Sequence, residues 1–346
     1  MNLEVTHPLF LFAALCVGTM GYAIQRGATC TVAAVDEVLS RHAGWRLIAL
    51  VEASVWVAGI LLVAQALGAL QHAPQSYALT QWTVIGGVLL GLGAFVNGAC
   101  VFGAIARLGS GQWEYLFTPV GFYLGCLSTE VVFGSPEQPP LNSPSVVLQS
   151  SYWGAALFLA FAAWRLVRPM WGRRTRESAG TPQGSSPSTT GLSQHLSDAF
   201  AQRIWAPHAA TTVIGITFAF MLLSAGVWAY TDVLALLARG MTDNLLLGTL
   251  LLATLLLGAL LGGFTAGRWS PAAPRVRDVL RSLAGSALMG WGSLLIPGSN
   301  DGLILVGMPM LWSYAWVAFG TMCVTIAVAQ CTSTALALWL GAPTAQ

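Results

Sequence analysis

The stretch GGVLLGLGAFVNGACVFG occupies residues 86–103, and the stretch GSALMGWGSLLIPGSNDG occupies residues 285–302. A constant shift of 199 residues aligns the two stretches and places Cys100 opposite Ser299. The pairs of residues that are identical under this shift include Gly86 and Gly285, Gly91 and Gly290, Gly93 and Gly292, Gly103 and Gly302, Tyr115 and Tyr314, and Gly121 and Gly320. So many identities at one shift indicate an internal duplication of the chain.

The composition around these stretches is that of a membrane protein. The chain has 346 residues, of which 55% are hydrophobic and 8% are charged, and its mean hydropathy is +0.69. An average soluble domain has roughly a quarter charged residues, so this chain has too few charges to cover a soluble particle. Most of its surface is therefore expected to face the lipid bilayer. The net charge of +2 indicates neither an acidic partner nor nucleic-acid binding.

The hydrophobic segments predict an all-α polytopic membrane protein with about nine transmembrane helices. A bilayer core of about 30 Å is crossed by about 20 helical residues. The third and eighth segments contain Gly, Asn, Pro or Asp and are predicted to be broken or re-entrant half-helices. The nine segments lie at roughly 8–25, 45–70, 82–107, 113–133, 151–168, 208–230, 243–266, 281–309 and 311–338.

A polar stretch divides the chain into two membrane halves. Residues 171–202 are rich in Ser, Gly, Thr and Pro, and such a segment cannot bury enough apolar surface to fold. We therefore predict membrane halves at 1–168 and 207–346, joined by a flexible linker at 169–206. Arginines flank this linker, which the positive-inside rule assigns to the cytoplasm. The N-terminus is then external and the C-terminus cytoplasmic, and the arginine-free loops 71–81 and 134–150 lie outside.

In this topology the two aligned stretches cross the membrane in opposite directions. Such an inverted, pseudo-twofold repeat is the architecture by which many transporters place a substrate site between broken helices. Gly98 and Pro297 interrupt the two stretches, and Cys100 and Ser299 stand where the helices are expected to restart. Backbone amides at a helix start carry partial positive charge and can hold an anion. The repeat therefore favours transport of an anion.

The cysteine-bearing turns resemble those of the YeeE/YedE family of bacterial inner-membrane sulfur transport proteins. The segments concerned are Gly27-Ala28-Thr29-Cys30, Gly91-Leu92-Gly93 and Asn97-Gly98-Ala99-Cys100-Val101-Phe102-Gly103. The resemblance implies inward uptake of thiosulfate through an hourglass-shaped protein, with three cysteines along the path and a cytoplasmic sulfurtransferase as a partner. Two of these cysteines match Cys30 and Cys100, whereas the third position is Ser299, a departure from the family's pattern. The supporting turn residues are Gly27, Gly98, Gly103, Pro297, Gly298 and Gly302.

The side chains at these turns suit the chemistry of thiosulfate, a dianion with a soft terminal sulfur and hard oxygens. A neutral thiol is a weak, polarizable donor that can contact the soft sulfur and release it, while the Ser299 hydroxyl suits the oxygen end. Asn97, Arg107, Asn300 and Asp301 are possible accessory residues. Arg107 either attracts the anion or anchors the cytoplasmic end of its helix. Glu52 and Asp301 are expected in structural pairing or helix-end roles.

Two other functions are compatible with the sequence. In the first, Cys30 and Cys100 belong to a membrane thiol redox or persulfide relay. In the second, the protein is a non-transporting partner subunit of a sulfur uptake system, and the best argument for it is that Ser299 replaces the family's third cysteine. No nucleotide-binding loop, cofactor motif or metal-ligand spacing is apparent. We therefore expect no cofactor, no metal and no enzymatic activity, and we favour uptake of a small sulfur-containing anion.

Overall fold

The computed structural model describes residues 7–70, 74–134, 139–141, 145–149, 151–177, 204–240 and 245–340. Helices dominate these residues, and the strands among them are β1 (Ser76–Tyr77) and β2 (Pro140–Leu141). The two strands pair antiparallel, with Ser76 opposite Leu141. The predicted all-α fold class is confirmed.

The helices fall into two series. The first series is α1 (Pro8–Gly27), α2 (Thr31–Arg41), α3 (Trp45–Ala66), α4 (Gln81–Asn97), α5 (Val101–Gly109), α6 (Phe117–Phe133), α7 (Val146–Gln149) and α8 (Ser151–Glu177). The second series is α9 (Pro207–Ala225), α10 (Tyr230–Ala238), α11 (Leu245–Thr265), α12 (Val276–Leu295), α13 (Asn300–Gly302) and α14 (Ser313–Trp339). A 3₁₀ turn at Trp113–Leu116 precedes α6, and a π-helical turn at Leu303–Gly307 follows α13.

Within the described residues, seven helical segments are long and apolar enough to cross a membrane, and eight if the bent pair α12 and Asn300–Gly307 is one span. That pair bends by 51°, at the place where the eighth predicted segment contains Pro297. The sequence predicted about nine crossings. The difference is α8, which is a helix of 27 residues but is not among these segments. Arginines at 165 and 168 lower the hydropathy of its sequence.

The shift of 199 residues extends far beyond the two stretches that revealed it. It carries α1 onto α9, α2 onto α10, α3 onto α11, α4 onto α12 and α6 onto α14, each with start points within a few residues. It carries α5 onto α13 and the π-helical turn after it. Every helix of the first series from α1 to α6 therefore has a counterpart in the second.

The helix contacts exchange partners as a twofold axis requires. Helix α1 packs on α11, and the counterpart of α1, α9, packs on α3. In the same way α4 packs on α14 while α12 packs on α6, and α2 contacts α14 while α10 contacts α6. The self-related pairs α1 with α9 and α4 with α12 lie against each other. The two halves are thus related by a pseudo-twofold axis that passes between these pairs.

Glycines bring α4 and α12 into backbone contact on this axis. A Cβ atom on Gly93 would lie 2.5 Å from the carbonyl oxygen of Gly285, and one on Gly86 would lie 2.9 Å from that of Gly292. Conversely, a Cβ on Gly292 would lie 2.7 Å from the oxygen of Gly86. The aligned glycines therefore allow close helix packing inside the membrane, where small residues let backbones approach.

Helix α8 stands outside the repeat and packs against α3. Glu52 of α3 accepts a hydrogen bond from Arg165 of α8 at 3.0 Å and contacts His208 of α9. Glu52 thus has the structural pairing that the sequence analysis expects. Helix α8 continues to Glu177, past residue 168. Residues 178–203 of the predicted linker lie outside the described residues.

Candidate functional site

The first break in the helices ends at Cys30. Helix α1 stops at Gly27, and Ala28 follows with a left-handed backbone at φ 46°. A Cβ on Gly27 would meet the Cβ of Ala210, so this glycine lets α9 pack against the end of α1. Cys30 is then extended at φ −158°, ψ 129° and serves as the N-cap of α2, with 8% of its surface exposed.

The second break ends at Cys100. Helix α4 stops at Asn97, whose side chain donates to the carbonyl oxygen of Ala99 at 2.8 Å. Gly98 takes a φ of 75°, which a residue with a Cβ rarely adopts. Cys100, fully buried at 0% exposure, is the N-cap of α5. The predicted restart point is therefore confirmed for this cysteine.

The two cysteines lie together at the buried centre of the protein. The amide of Thr31, the first residue of α2, donates to Cys100 Sγ at 3.1 Å, and the Cys30 and Cys100 side chains interact. Both are free thiols. Gly103, one turn into α5, makes room for this pair, since a Cβ there would lie 2.5 Å from Cys30 Sγ.

The third break ends at Ser299. Helix α12 stops at Leu295, Gly298 has a φ of 106°, and Ser299 is the N-cap of α13 with 0% exposure. The Ser299 hydroxyl has no hydrogen-bond partner among the described residues. Burying a hydroxyl without a partner is costly, so this one is a candidate to bind a ligand.

Asn300 connects the third break to the two cysteines. Its Nδ2 lies 3.5 Å from Thr31 Oγ1, and its own Oδ1 has no partner in the described part of the chain. The amide of the same Thr31 contacts Cys100. Three chain breaks from the two halves therefore meet around one threonine.

A fourth break, which the sequence analysis missed, ends at Ala229. It precedes α10, and the shift of 199 residues relates it to Cys30. The backbone of Ala229, at φ −132°, ψ 148°, is similar to that of Cys30. The Cys100 and Ser299 backbones match as closely, at φ −75°, ψ −179° and φ −85°, ψ −174°. Applying the repeat shift to Cys30 would have found this position.

The other accessory candidates have structural partners. Asp301 is 4% exposed, and its two carboxylate oxygens accept from the Thr231 hydroxyl at 2.8 and 3.1 Å. Arg107 donates to the Tyr115 hydroxyl at 2.7 Å, and that hydroxyl lies 3.3 Å from the Asn97 carbonyl oxygen. Arg107 thus ties the end of α5 to the end of α4.

A cavity of about 680 Å³ opens over the third break. Pro297, Gly298 and Gly302 form part of its wall. Thr231 and Asp232 of α10 also line it, and so does Arg239, which directly follows the last residue of α10. Tyr77 of β1 and Tyr314 of α14 also line it, and their rings contact edge to face at 5.8 Å. The cavity therefore connects the surface at the 74–77 loop with the turn that precedes the buried Ser299.

This architecture is that of a multi-pass membrane protein of the transporter type, with paired broken helices around a buried polar centre. Residues 26–328 match the Sulphur transport family, and the chain belongs to this family. Over 337 residues the chain is 24% identical to the thiosulfate transporter TsuA of Escherichia coli (strain K12), a match that covers 89% of this chain and 90% of that protein. The predicted relationship to the YeeE/YedE family is confirmed.

Proposed function

We propose that the protein takes up a small sulfur-containing anion, thiosulfate first, across the bacterial inner membrane. The observation that carries the proposal is the meeting of Cys30, Cys100 and Asn300 around Thr31, beside the unpartnered hydroxyl of Ser299. These groups offer two polarizable thiols and hard polar atoms within one buried centre. Thiosulfate has the same two kinds of atom, a soft sulfur at one end and oxygens at the other.

The path begins in the cavity over Pro297 and Gly298 and continues past the buried centre. An anion conducted through a protein needs sites that bind it weakly enough to release it. Neutral thiols and hydroxyls meet this need better than a ring of arginines would. The first amides of α2 and α5 face no preceding helical carbonyl, so they add partial positive charge without a fixed cation. At the buried centre, the helix-start amides therefore attract the dianion, and the neutral thiols and hydroxyls bind it weakly enough to release it.

The orientation follows from the distribution of arginine. The cavity side carries the 74–77 loop, from the arginine-free stretch assigned to the outside, so the cavity receives the anion externally. The anion leaves towards the cytoplasm, where the linker and the C-terminus lie and where a sulfurtransferase would receive the sulfur. Fusion of a reporter that is active only in the cytoplasm to the C-terminus checks this orientation, and activity of a periplasmic reporter there would contradict it.

The deciding experiment is uptake of radiolabelled thiosulfate by proteoliposomes that contain the purified full-length chain. Uptake above that of empty liposomes is expected, with strong competition by unlabelled thiosulfate and weaker competition by sulfate, which lacks the soft sulfur. Sulfite, sulfide and selenium analogues complete the panel. Absence of uptake by the protein alone would favour the partner-subunit function instead.

The contact between Cys30 and Cys100 supports a second candidate function, a thiol redox or persulfide relay. Forming a disulfide between them would release two protons and two electrons, so a relay needs an electron acceptor. Mass spectrometry of protein trapped during turnover distinguishes the two functions. A Cys30–Cys100 disulfide that appears and disappears with substrate would favour the relay, whereas two thiols throughout would favour transport.

A further inference from the structure

The cavity over the third break is lined by one acidic and one basic side chain. These are Asp232, in the first turn of α10, and Arg239, the residue that directly follows α10. They are seven residues apart, which is two helical turns or about 10 Å along the axis. Arg239 is exposed, whereas Asp232 is partly buried. An anion that enters the cavity therefore passes the exposed Arg239 first and then comes close to the carboxyl group of Asp232.

Among the described residues, no cation forms an ion pair with Asp232. Ionisable groups that interact electrostatically with Asp232 include Asp301 of α13, Cys126 of α6 and Tyr314 of α14. Helix α11, which packs against α10, contributes no ionisable side chain. The cation that lines the same cavity as Asp232, Arg239, lies about two helical turns away.

Thr231, the residue before Asp232, is hydrogen-bonded to the segment that carries Ser299. Thr231, which also lines the cavity, donates its hydroxyl to the carboxylate of the buried Asp301. Asp301 lies two residues after Ser299, whose hydroxyl is fully buried and unpartnered among the described residues. The hydrogen bond from Thr231 to Asp301 therefore joins the cavity wall to the segment that carries Ser299. A path from the cavity to Ser299 runs past two carboxyl groups, those of Asp232 and Asp301.

A dianion cannot pass an ionised carboxylate at close range in a poorly solvated passage without strong repulsion. We infer that Asp232 is a proton-binding site and that the anion enters together with a proton taken up by this carboxyl group. The inference rests on the proposed function. The proton comes from water in the cavity, neutralises Asp232 while the dianion passes, and is released on the other side, directly or by way of Thr231 and Asp301. One dianion and one proton cross together, and no bond of the anion is broken.

The test uses proteoliposomes with a pH-sensitive dye inside and labelled thiosulfate outside. For the wild type we expect uptake to fall several-fold as the outer pH is raised from mildly acidic to mildly alkaline, and thiosulfate addition to acidify the lumen. Asp232→Asn removes the titrating group with little change of shape, so its uptake should be indifferent to pH and should not acidify the lumen. Asp36→Asn is the matched control, because Asp36 is exposed on α2, the repeat counterpart of α10, and lies outside the cavity.

A second measurement uses the wild type alone, so its result does not depend on whether Asp232→Asn folds. Thiosulfate binding to detergent-solubilised protein in buffers of different ionisation enthalpy reports the protons taken up for each anion bound, and we expect close to one. No proton uptake, pH-indifferent transport, or a requirement for Na⁺ in place of protons would overturn the inference and leave the proposed function intact. No thiosulfate uptake by the wild type at any pH would overturn the proposed function and this inference with it.

Discussion

The amide nitrogen of Thr31 lies 3.1 Å from Cys100 Sγ, so the start of α2 and the start of α5 share one hydrogen bond. The two residues are 69 positions apart in the chain. The bond joins two helix breaks of the first half into one structural unit, and Asn300 of the second half reaches the same threonine. The predictions below follow from this arrangement and from the packing that supports it.

Replacing Cys100 by alanine removes the acceptor of the Thr31 amide and one of the two interacting thiols. We expect thiosulfate uptake to fall by about tenfold or more, which corresponds to a loss of about 1.4 kcal/mol of stabilisation along the path. Cys30→Ala should have a similar effect. Cys331→Ala is the matched control, since Cys331 is exposed on α14 and its replacement should leave uptake unchanged. Wild-type uptake by Cys100→Ala would refute the thiol pathway.

Gly103→Ala places a methyl group where the Cys30 side chain lies. The new Cβ would be 2.5 Å from Cys30 Sγ and 3.0 Å from Cys30 Cβ, and overpacking of this kind costs about 1–3 kcal/mol. We expect a lower thermal unfolding temperature in detergent and impaired uptake. Gly302→Ala is the repeat-related stability control, because a Cβ there meets nothing within 4 Å. Equal unfolding temperatures for the two variants would contradict the packing of Cys30 against Gly103.

Ser299→Cys introduces a thiol at the third position of the family's pattern. Because the Ser299 hydroxyl has no partner among the described residues, the exchange breaks no hydrogen bond that they provide. We expect thiosulfate uptake to persist and competition by sulfite to weaken, since a softer group replaces a harder one. The competition panel measures this, with Ser293→Cys as a control, where the hydroxyl already donates to Gly290 at 2.8 Å. Stronger competition by sulfite in Ser299→Cys would argue against contact between this side chain and the anion.

Arg165→Gln breaks the ion pair that holds α8 on α3. The Arg165 side chain is 33% exposed and that of Glu52 is 12% exposed. The ion pair is therefore intermediate between an exposed and a buried salt bridge, and we expect the free energy of unfolding to fall by about 1–2 kcal/mol. Thermal unfolding in detergent measures it. Arg268→Gln, at an exposed position between α11 and α12, should have no effect. An unchanged unfolding temperature for Arg165→Gln would show that α8 is held by its apolar contacts alone.

The helical class and the duplication were predictable because both leave a pattern along the chain. Long apolar runs have one stable form in lipid, where backbone groups must bond within their own helix. The aligned glycines Gly86, Gly93, Gly285 and Gly292 marked the repeat, and close packing of α4 on α12 is the physical reason for them. The breaks at Gly98 and Pro297 were also predictable from the sequence, because glycine and proline are residue types that end helices.

The fourth break at Ala229 was missed because alanine carries no chemistry that would mark the position. The shift of 199 residues relates it to Cys30, and the fold shows the break between Ala225 and Tyr230. The role of α10 in the cavity wall could not be predicted from the sequence, because Asp232 and Arg239 line the same cavity as Pro297 and Gly298 only once distant segments are packed together. The span count also differed, since a helix such as α8 can be long without being apolar throughout.

The amino-acid sequence by itself determined that this chain spans a membrane, that it is duplicated and where its principal helices break, because hydropathy, repeat identity and helix-ending residues are local properties. Only the tertiary structure decided that Cys30, Cys100 and Asn300 meet at Thr31 and that Ser299 is buried without a partner. Those relationships depend on how α1, α4 and α12 cross around the pseudo-twofold axis. Such crossings are set by packing between residues far apart in the chain, which no local pattern encodes.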